Sequence, residues 1–216
     1  MEEIQPGIFS DGDRLFTENP VPGEKVYGEE LVNSSDKELR EWNPSRSKAA
    51  AALKKGVELE ISKNDEMLYL GAASGTTVSH FSDIARDGFI VAVEYSKEVA
   101  RDLVSLAEKR ENIAPIIADA RKPVEYADFV KKADIVYQDI SQRDQAAILA
   151  KNCEKFLGDD GVALVAVKAQ SISSTRDAEE VFEETRDELL DEFEILDEAR
   201  LEPYEKDHLF LKLEKK

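Results

Sequence analysis

The chain has 216 residues, 42% of them hydrophobic and 35% charged, a composition that suits one α/β domain with a small appendage and argues against fibrous, disordered and membrane-spanning classes. Its single cysteine, Cys153, and its two histidines, His80 and His208, can form neither an internal disulfide nor a zinc site, so we expect a reducing compartment and no metal. The net charge of −18 argues against direct binding of bare nucleic acid, but fifteen acidic and three basic residues between 177 and 207 supply 12 of these charges and leave other faces free for an anionic substrate.

The first 44 residues are rich in turn formers that separate short β-prone segments. The turn formers lie at 11–13, 19–23 and 33–35, and the β-prone segments at 8–9, 15–17 and 25–27. This pattern predicts a small antiparallel appendage. The alanine-rich run over 45–56 follows Pro44 and predicts a short connecting helix. We therefore expect a β-rich N-terminal unit with its helix over 1–55 and a main domain over 56–216.

Beyond residue 56, apolar strand-like segments alternate with amphipathic ones. Strands are predicted at 67–70, 89–93, 113–117, 135–137 and 162–167, and helices at 78–85, 97–110 and 143–156. Repeated β-α-β units with nearly continuous apolar strands predict a parallel sheet covered on both faces. A helix over 175–193 then precedes strands at 194–201 and 208–213, whose short connection makes them antiparallel. This α/β pattern resembles the seven-stranded, Rossmann-like fold of S-adenosylmethionine-dependent methyltransferases.

Polar residues follow the strands of the predicted sheet, at the edge where open parallel sheets bind their ligands. Residues 71–77 are small and let a ligand approach backbone N–H groups, but they lack the G-x-G-x-x-G spacing of a dinucleotide site. Glu94 ends the second strand, where an acidic side chain can bind ribose hydroxyls, and Tyr95 can lie against an adenine. The third and fourth strands lead to Asp119-Ala120 and to Asp139-Ile140-Ser141-Gln142. These residues predict a site for an adenosyl-type ligand.

The fifth strand ends at Lys168, which is either a snorkelling surface residue or an ammonium group held in a cleft. Asp139 ends the neighbouring strand and His208 opens the last one, so the three side chains can converge, with Asp139 orienting Lys168. Three further residues have structural interpretations: His80 as a helix-surface or packing residue, Cys153 as an apolar filler and Trp42 as a core anchor.

Five motifs, in order along nearly the whole chain, resemble the fibrillarin family. They are Arg-Glu-Trp-Asn-Pro-Ser-Arg-Ser-Lys at 40–48, Tyr-Leu-Gly-Ala-Ala-Ser-Gly-Thr-Thr at 69–77, the 139–142 segment, Lys168-Ala169, and Glu-Pro-Tyr-Glu-Lys-Asp-His at 202–208. The resemblance implies an RNA ribose 2′-O-methyltransferase that uses S-adenosyl-L-methionine within box C/D guide ribonucleoproteins. The implied partners are the guide RNA, target ribosomal and transfer RNA, a Nop-domain scaffold protein and a kink-turn-binding ribosomal-type protein, with no membrane.

The resemblance also implies roles for individual residues. Together with the small-residue loop, it assigns cofactor binding to Gly71, Ala73, Thr76, Thr77, Glu94, Tyr95, Asp119, Ala120, Asp139, Ile140, Ser141 and Gln142. It assigns catalysis to Lys48, Asp139, Lys168 and His208, of which Lys48 follows from the resemblance alone. Tyr95 stands where the family often has Phe, and Gln170 where it commonly has Arg. Because the chain begins with neither a secretory signal nor a Gly/Arg-rich leader, we expect an archaeal, cytoplasmic form.

The implied reaction is an in-line attack of a ribose 2′-hydroxyl on a sulfonium methyl group, with most of the rate supplied by positioning. Lys168 is the candidate general base, and His208 orients the reacting groups or relays a proton. Two alternatives remain open: a standalone RNA 2′-O-methyltransferase of the heat-shock type, and a non-catalytic, cofactor-binding assembly subunit. A nicotinamide oxidoreductase is disfavoured by the spacing of the 71–77 loop.

Overall fold

A computed structural model describes residues 1–34 and 36–216 of the chain. The N-terminal part is an antiparallel sheet with strand order β1-β2-β3-β5-β4. Its strands are β1 (Glu2–Gln5), β2 (Ile8–Ser10), β3 (Leu15–Glu18), β4 (Leu31–Ser34) and β5 (Lys37–Glu41). The predicted β-rich appendage is therefore confirmed, whereas the turn predicted at 33–35 includes Ser35, which lies outside the described residues.

The β-prone segment at 25–27 is not a strand, and that prediction was wrong. The Glu29 carboxylate accepts hydrogen bonds from the backbone N–H groups of Val26 (3.0 Å) and Tyr27 (2.8 Å). These bonds fold the segment back on itself as a turn. A local side-chain acceptor thus outweighs the β propensity of the Lys-Val-Tyr sequence.

Helix α1 (Lys48–Lys54) connects the two sheets and is shorter at its N-terminus than predicted. The Ser47 hydroxyl caps it by accepting a hydrogen bond from the N–H of Ala50 at 3.4 Å. Residues 49–53 are all buried. Because four of them are alanines, the helix backbone can lie close to the sheet, which brings its first residue, Lys48, to the edge of the strands.

The main sheet has seven strands in the order β11-β12-β10-β9-β6-β7-β8. Its elements are β6 (Glu66–Leu70), α2 (Thr76–Ile84), β7 (Phe89–Glu94), α3 (Ala100–Ala107), β8 (Ile113–Ile117), β9 (Ala133–Gln138), α4 (Gln145–Phe156), β10 (Leu157–Lys168), α5 (Ala169–Ile172), α6 (Ala178–Leu190), β11 (Phe193–Arg200) and β12 (His208–Lys215). β11 and β12 are antiparallel to each other, as predicted. β12 is also antiparallel to β10, and the other pairings are parallel. The chain builds outward from β6 through β7 to β8 and then returns to β9, so the topological switch point lies between β6 and β9.

Alternation along the strands decides which side chains share a face of this sheet. One face buries Tyr69, Tyr137, Leu164 and Phe210 with α1, α2 and residues of the N-terminal sheet. Continued to the strand ends, through Ala166 in β10, the same alternation assigns Gly71, Asp139 and Lys168 to this face. The opposite face packs against α4 and α6.

The two sheets share one hydrophobic cluster, which includes Ile8, Leu15 and Trp42 together with residues of the main sheet. Trp42 is fully buried and stacks on His80, with ring centroids 4.9 Å apart. Both are packing residues, as predicted, although His80 lies in the core and not on a helix surface. The division of the chain at residue 55 stays a prediction.

The single cysteine, Cys153, is buried. Burial raises the pKa of Cys153 to about 12, so its thiol remains protonated and serves as an apolar filler.

No helix within residues 1–34 and 36–216 is both long and apolar enough to cross a membrane.

Candidate active site

A cavity of about 390 Å³ opens beside the switch point of the main sheet. Its volume is in the range of small-molecule sites. Ten of the twelve residues predicted to bind a cofactor line it: Gly71, Ala73, Glu94, Tyr95, Asp119, Ala120, Asp139, Ile140, Ser141 and Gln142. The carboxyl ends of separate strands thus contribute to one hollow, as the sheet topology predicts.

Gly71 follows the end of β6 and lies in close contact with the residue that follows β9. Its φ is +83°, and a Cβ built on it would lie 2.1 Å from the carbonyl oxygen of Asp139. The N–H of Asp139 donates to the carbonyl of Leu70 at 2.9 Å, and the N–H of Gly71 donates to the carbonyl of Val93 at 2.9 Å. Only glycine fits between these two strand ends.

Glu94 is fixed by two backbone N–H groups. One of its carboxylate oxygens accepts the N–H of Ala73 at 2.9 Å and the other accepts the N–H of Ser96 at 2.8 Å. A carboxylate has about four acceptor positions, so Glu94 retains acceptor capacity for a ligand hydroxyl. The neighbouring Tyr95 is 72% exposed, and its ring is free to lie against a planar group.

Asp119 lies at the far end of the cavity beside Arg121. Its carboxylate accepts two hydrogen bonds from the Arg121 guanidinium at 2.7 and 2.9 Å. These bonds hold the pKa of Asp119 below its usual value, so it is ionised at neutral pH. The ionised Asp119 carboxylate, which can accept hydrogen bonds but not donate them, therefore lies at this end of the cavity.

The four residues predicted to be catalytic lie at the same edge of the sheet. The Lys48 ammonium donates to the Asp139 carboxylate at 2.8 Å, and the two side chains are 19% and 24% exposed. Lys168 and His208 are Cα partners across β10 and β12, and directly opposed side chains in such a pair have Cβ atoms about 4.5–5.5 Å apart. α1 and the two strand ends thus bring two lysines, a carboxylate and an imidazole into one region.

Asp139 has a different partner from the one expected. It pairs with Lys48, and within residues 1–34 and 36–216 no carboxylate lies within 4 Å of the Lys168 ammonium. The reason is that α1 lies across this edge of the sheet and presents Lys48 to Asp139. Lys48 is therefore held by a carboxylate, whereas Lys168 has no carboxylate partner in the described part of the chain.

His208 has one ring nitrogen engaged and one without a partner. Its Nδ1 donates to the carbonyl of Lys206 at 2.7 Å, and its Nε2 is buried without a hydrogen-bond partner in the described part of the chain. Burial lowers the pKa of His208, and the Lys48 cation lowers it further against the Lys206 carbonyl, which raises it. The ring is therefore neutral at neutral pH, with an acceptor at Nε2.

Thr76 and Thr77 lie at the start of α2 and are not among the residues that line the cavity. Thr76 lines a neighbouring cleft, and the Thr77 hydroxyl donates to the Ser47 hydroxyl at 2.9 Å. Their contact with a cofactor stays a prediction. The sequence interpretation in turn missed five residues of the cavity wall: Val93, Val99, Ala118, Arg121 and Ile148.

Comparison with known proteins places this geometry in a family. A sequence model of fibrillarin matches residues 2–216. The chain belongs to the fibrillarin family. A fibrillarin-like rRNA/tRNA 2′-O-methyltransferase of Methanocaldococcus jannaschii is 46% identical over 212 residues, which cover 96% of this chain and 92% of that protein. The predicted family and fold class are confirmed.

Two solved fibrillarin structures are similar to this chain throughout. One is a fibrillarin/Nop5p complex, whose matched chain has a TM-score of 0.94 and 41% identity, with 100% of both chains covered. The other is fibrillarin from Aeropyrum pernix with natively bound S-adenosyl-L-methionine, with a TM-score of 0.89, 42% identity, and 99% of this chain and 96% of that one covered.

Proposed function

We propose that this fibrillarin-family protein is an S-adenosyl-L-methionine-dependent RNA ribose 2′-O-methyltransferase. The observation that carries the proposal is the shared edge of the sheet at which the 390 Å³ cavity adjoins Lys48, Asp139, Lys168 and His208. The named activity of the Methanocaldococcus relative and the S-adenosyl-L-methionine bound to the Aeropyrum relative support it.

The residues of the cavity suit an adenosyl group. Glu94 is preset by two backbone N–H groups to accept ribose hydroxyls, the exposed ring of Tyr95 can cover the adenine, and ionised Asp119 can accept its amino group. At Gly71 the strand ends approach so closely that a Cβ there would meet the Asp139 carbonyl and the Ile140 side chain. When bound, S-adenosyl-L-methionine supplies an electrophilic methyl group.

The remaining residues handle the substrate hydroxyl and its proton. The Nζ of Lys168, in its neutral amine form, accepts the proton of a ribose 2′-hydroxyl as that oxygen becomes the nucleophile. Lys48 is held by the Asp139 carboxylate at 2.8 Å, at the same edge of the sheet. The Nε2 of His208 accepts a hydrogen bond at this edge and orients the hydroxyl or a water. Most of the rate comes from alignment of the reacting atoms.

We also propose that the chain is the catalytic subunit of a box C/D guide ribonucleoprotein acting on rRNA and tRNA in the cytoplasm. A relative that covers this whole chain was solved as a fibrillarin/Nop5p complex, which supports a Nop-domain scaffold. A net charge of −18 disfavours unaided binding of RNA. Guide RNA and a kink-turn-binding protein belong to the proposal through the family motifs.

The test is transfer of a labelled methyl group to target RNA, with and without the reconstituted partners. We expect Lys168→Ala and Asp139→Ala to lose at least about 10²-fold in rate with an intact fold, because each removes a group that acts on or orients the reacting atoms. Lys63→Ala, at an exposed ion pair with Asp87, is the matched lysine control and should keep wild-type activity.

Each result has a defined meaning. Wild-type turnover in either variant removes that residue from the proposed mechanism. Transfer by the isolated chain, without guide RNA, identifies a standalone methyltransferase. A fully assembled wild-type complex that binds S-adenosyl-L-methionine but transfers no methyl group overturns the enzymatic proposal.

A further inference from the structure

Lys168 is the last residue of β10, and β9 no longer pairs with β10 at this position. The N–H of Ala169 donates to the carbonyl of Asp207 at 3.1 Å, which makes Lys168 and His208 a non-hydrogen-bonded pair of the β10–β12 ladder. The N–H and C=O of Lys168 therefore point away from β12, toward the side of β9. The β9–β10 ladder ends at the pair Gln138 and Val165, three residues before Lys168.

The side chain of Gln145 occupies the position that the missing strand would have. Its Oε1 accepts the N–H of Lys168 at 3.3 Å, and its Nε2 donates to the carbonyl of Lys168 at 3.3 Å. One primary amide thus satisfies both peptide groups of the residue, as a paired strand would. Gln145 is the first residue of α4 and is 1% exposed, so water cannot replace it.

The same amide also reaches the wall of the cavity. The Nε2 of Gln145 donates to the carbonyl of Gln142 at 2.8 Å, and the backbone carbonyl of Gln145 accepts the side-chain amide of Gln138 at 2.9 Å. Gln142 ends the segment that lines the cavity after β9. Gln145 therefore joins the cofactor side of the site to the backbone of Lys168.

We propose that Gln145 is a positioning residue that fixes Lys168 relative to the cavity segment 139–142. It touches the backbone of both and none of the reacting atoms. A lysine side chain has four rotatable bonds, so the reach of its Nζ is defined only if its Cα is fixed. Because misplacement by about 1 Å can cost on the order of 10²-fold in rate, release of this backbone should lower kcat more than it weakens cofactor binding. The inference rests on the proposed methyl transfer.

The test compares Gln145→Leu with Asn152→Leu in the assembled complex. Asn152 is a fully buried amide of the same helix, and it donates to the carbonyl of Ala120 at 2.9 Å, at the other end of the cavity. Both substitutions remove a buried amide and leave backbone carbonyls unpaired, so they should lower stability by similar amounts. We expect kcat at saturating S-adenosyl-L-methionine to fall at least about fivefold in Gln145→Leu and to stay within about twofold of wild type in Asn152→Leu.

Gln145→Glu supplies a readout that a purely structural role would not change. A protonated carboxyl group keeps one donor and one acceptor, whereas the ionised form faces two carbonyl oxygens without a donor. The ratio of variant to wild-type kcat should therefore rise as the pH is lowered. This variant also decides the question if Gln145→Leu does not fold.

Three outcomes overturn the proposal: a fall in kcat of less than about fivefold in folded Gln145→Leu, a rise in KM for S-adenosyl-L-methionine with kcat unchanged, or a Gln145→Glu ratio that does not vary with pH. Wild-type complex is assayed beside the variants. An inactive wild type counts against the proposed function, and a crystal structure of Gln145→Leu in which Lys168 does not shift then counts separately against the positioning role.

Discussion

At Gly71 the site requires the absence of a side chain. The residue combines a φ of +83° with a space in which a Cβ would lie 2.1 Å from a backbone oxygen. Gly56 has a similar φ, +96°, but no atom of the described residues lies within 4 Å of the position of its Cβ. Alanine substitutions at the two glycines therefore measure separately the free-energy cost of a left-handed backbone and the cost of the Cβ contact with Asp139.

We expect Gly56→Ala to lower the free energy of unfolding by about 1–2 kcal/mol, the cost of a left-handed L-residue. Gly71→Ala should cost a further ~1–3 kcal/mol because β6 and β9 must move apart, and it should also weaken binding of S-adenosyl-L-methionine. Urea unfolding and calorimetric titration measure the two effects. Equal stability and affinity in the two variants would show that the strand ends can separate freely.

Some site residues could be predicted from the sequence and others could not. Glu94 and Lys168 follow an apolar run directly, Asp139 follows one after Gln138, and the rule that ligands bind at strand ends identifies all three. Lys48 has no such pattern, because a lysine in an alanine-rich helix is ordinarily solvated. Gln145 has none either, since its role depends on where β9 ends relative to β10, which is a property of the folded sheet.

Among the elements, the joint between the N-terminal sheet and α2 is built from buried charges. The Arg40 guanidinium is fully buried and pairs with Glu29 at 2.9 Å and with Asp83 at 3.1 Å. Asp83 also pairs with Arg110, and its other carboxylate oxygen accepts the Thr17 hydroxyl at 2.7 Å. β3, β5, α2 and the segment that follows α3 are thereby tied to one network.

Arg40→Met should lower the free energy of unfolding by about 3–5 kcal/mol, because it leaves buried carboxylates without their cation. The matched control is Arg86→Met, whose ion pair with Glu18 is long, at 3.7 Å, and largely exposed. That variant should lose less than about 1 kcal/mol. Chemical unfolding measures both, and a similar small loss in the two would mean that the buried network contributes little.

The same joint makes stability depend on pH. The Nδ1 of His80 lies 2.7 Å from the Thr17 hydroxyl and its Nε2 lies 2.8 Å from that of Tyr27. Burial lowers the pKa of His80 well below its usual value, and the cations of Arg40 and Arg110 act in the same direction. His80 therefore takes up a proton near pH 6.5 in the unfolded chain but stays neutral in the folded chain. The free energy of unfolding has its full value above this pH and falls as the pH drops below it.

We expect the free energy of unfolding to fall by up to about 1.4 kcal/mol per pH unit below about pH 6.5 for each histidine that stays neutral. His80→Gln should have a shallower slope, because only His208 then remains. Urea titrations over this range, with the variant and wild type compared at each pH, measure the difference. An unchanged slope would mean that His80 is protonated in the folded protein.

Most elements of the main sheet could be predicted, and most of the N-terminal strands could not. Apolar runs mark β6 to β10 because both faces of a parallel sheet are buried. β1 (Glu2–Gln5) and β5 (Lys37–Glu41) are rich in charged residues and have no such run, although Arg40 of β5 is fully buried. Its burial depends on Glu29 and Asp83, which are distant in sequence.

At the scale of the whole molecule, the charge is concentrated on one side of the fold. α6 and β11 carry rows of exposed acids, some of them paired, as Arg186 is with Glu198 at 2.8 Å and Arg176 with Glu184 at 2.5 Å. The lysines of the proposed site lie at the C-terminal edge of the strands. A chain with this distribution repels an RNA that approaches at random, and it favours a substrate delivered to one edge.

The isolated chain should therefore bind naked RNA weakly, with a Kd of about 10⁻⁴ M or higher at moderate salt. Neutralising three exposed acids of α6 that have no ion-pair partner in the described part of the chain, through Glu183→Gln, Asp187→Asn and Glu188→Gln, should tighten this binding severalfold and leave stability within about 0.5 kcal/mol. The difference should vanish near 1 M salt, where the Debye length is about 3 Å. Filter binding at several salt concentrations measures it. Tight, sequence-independent binding by the wild-type chain at moderate salt would contradict the need for partners, because the edge at Lys48 and Lys168 would then hold RNA without them.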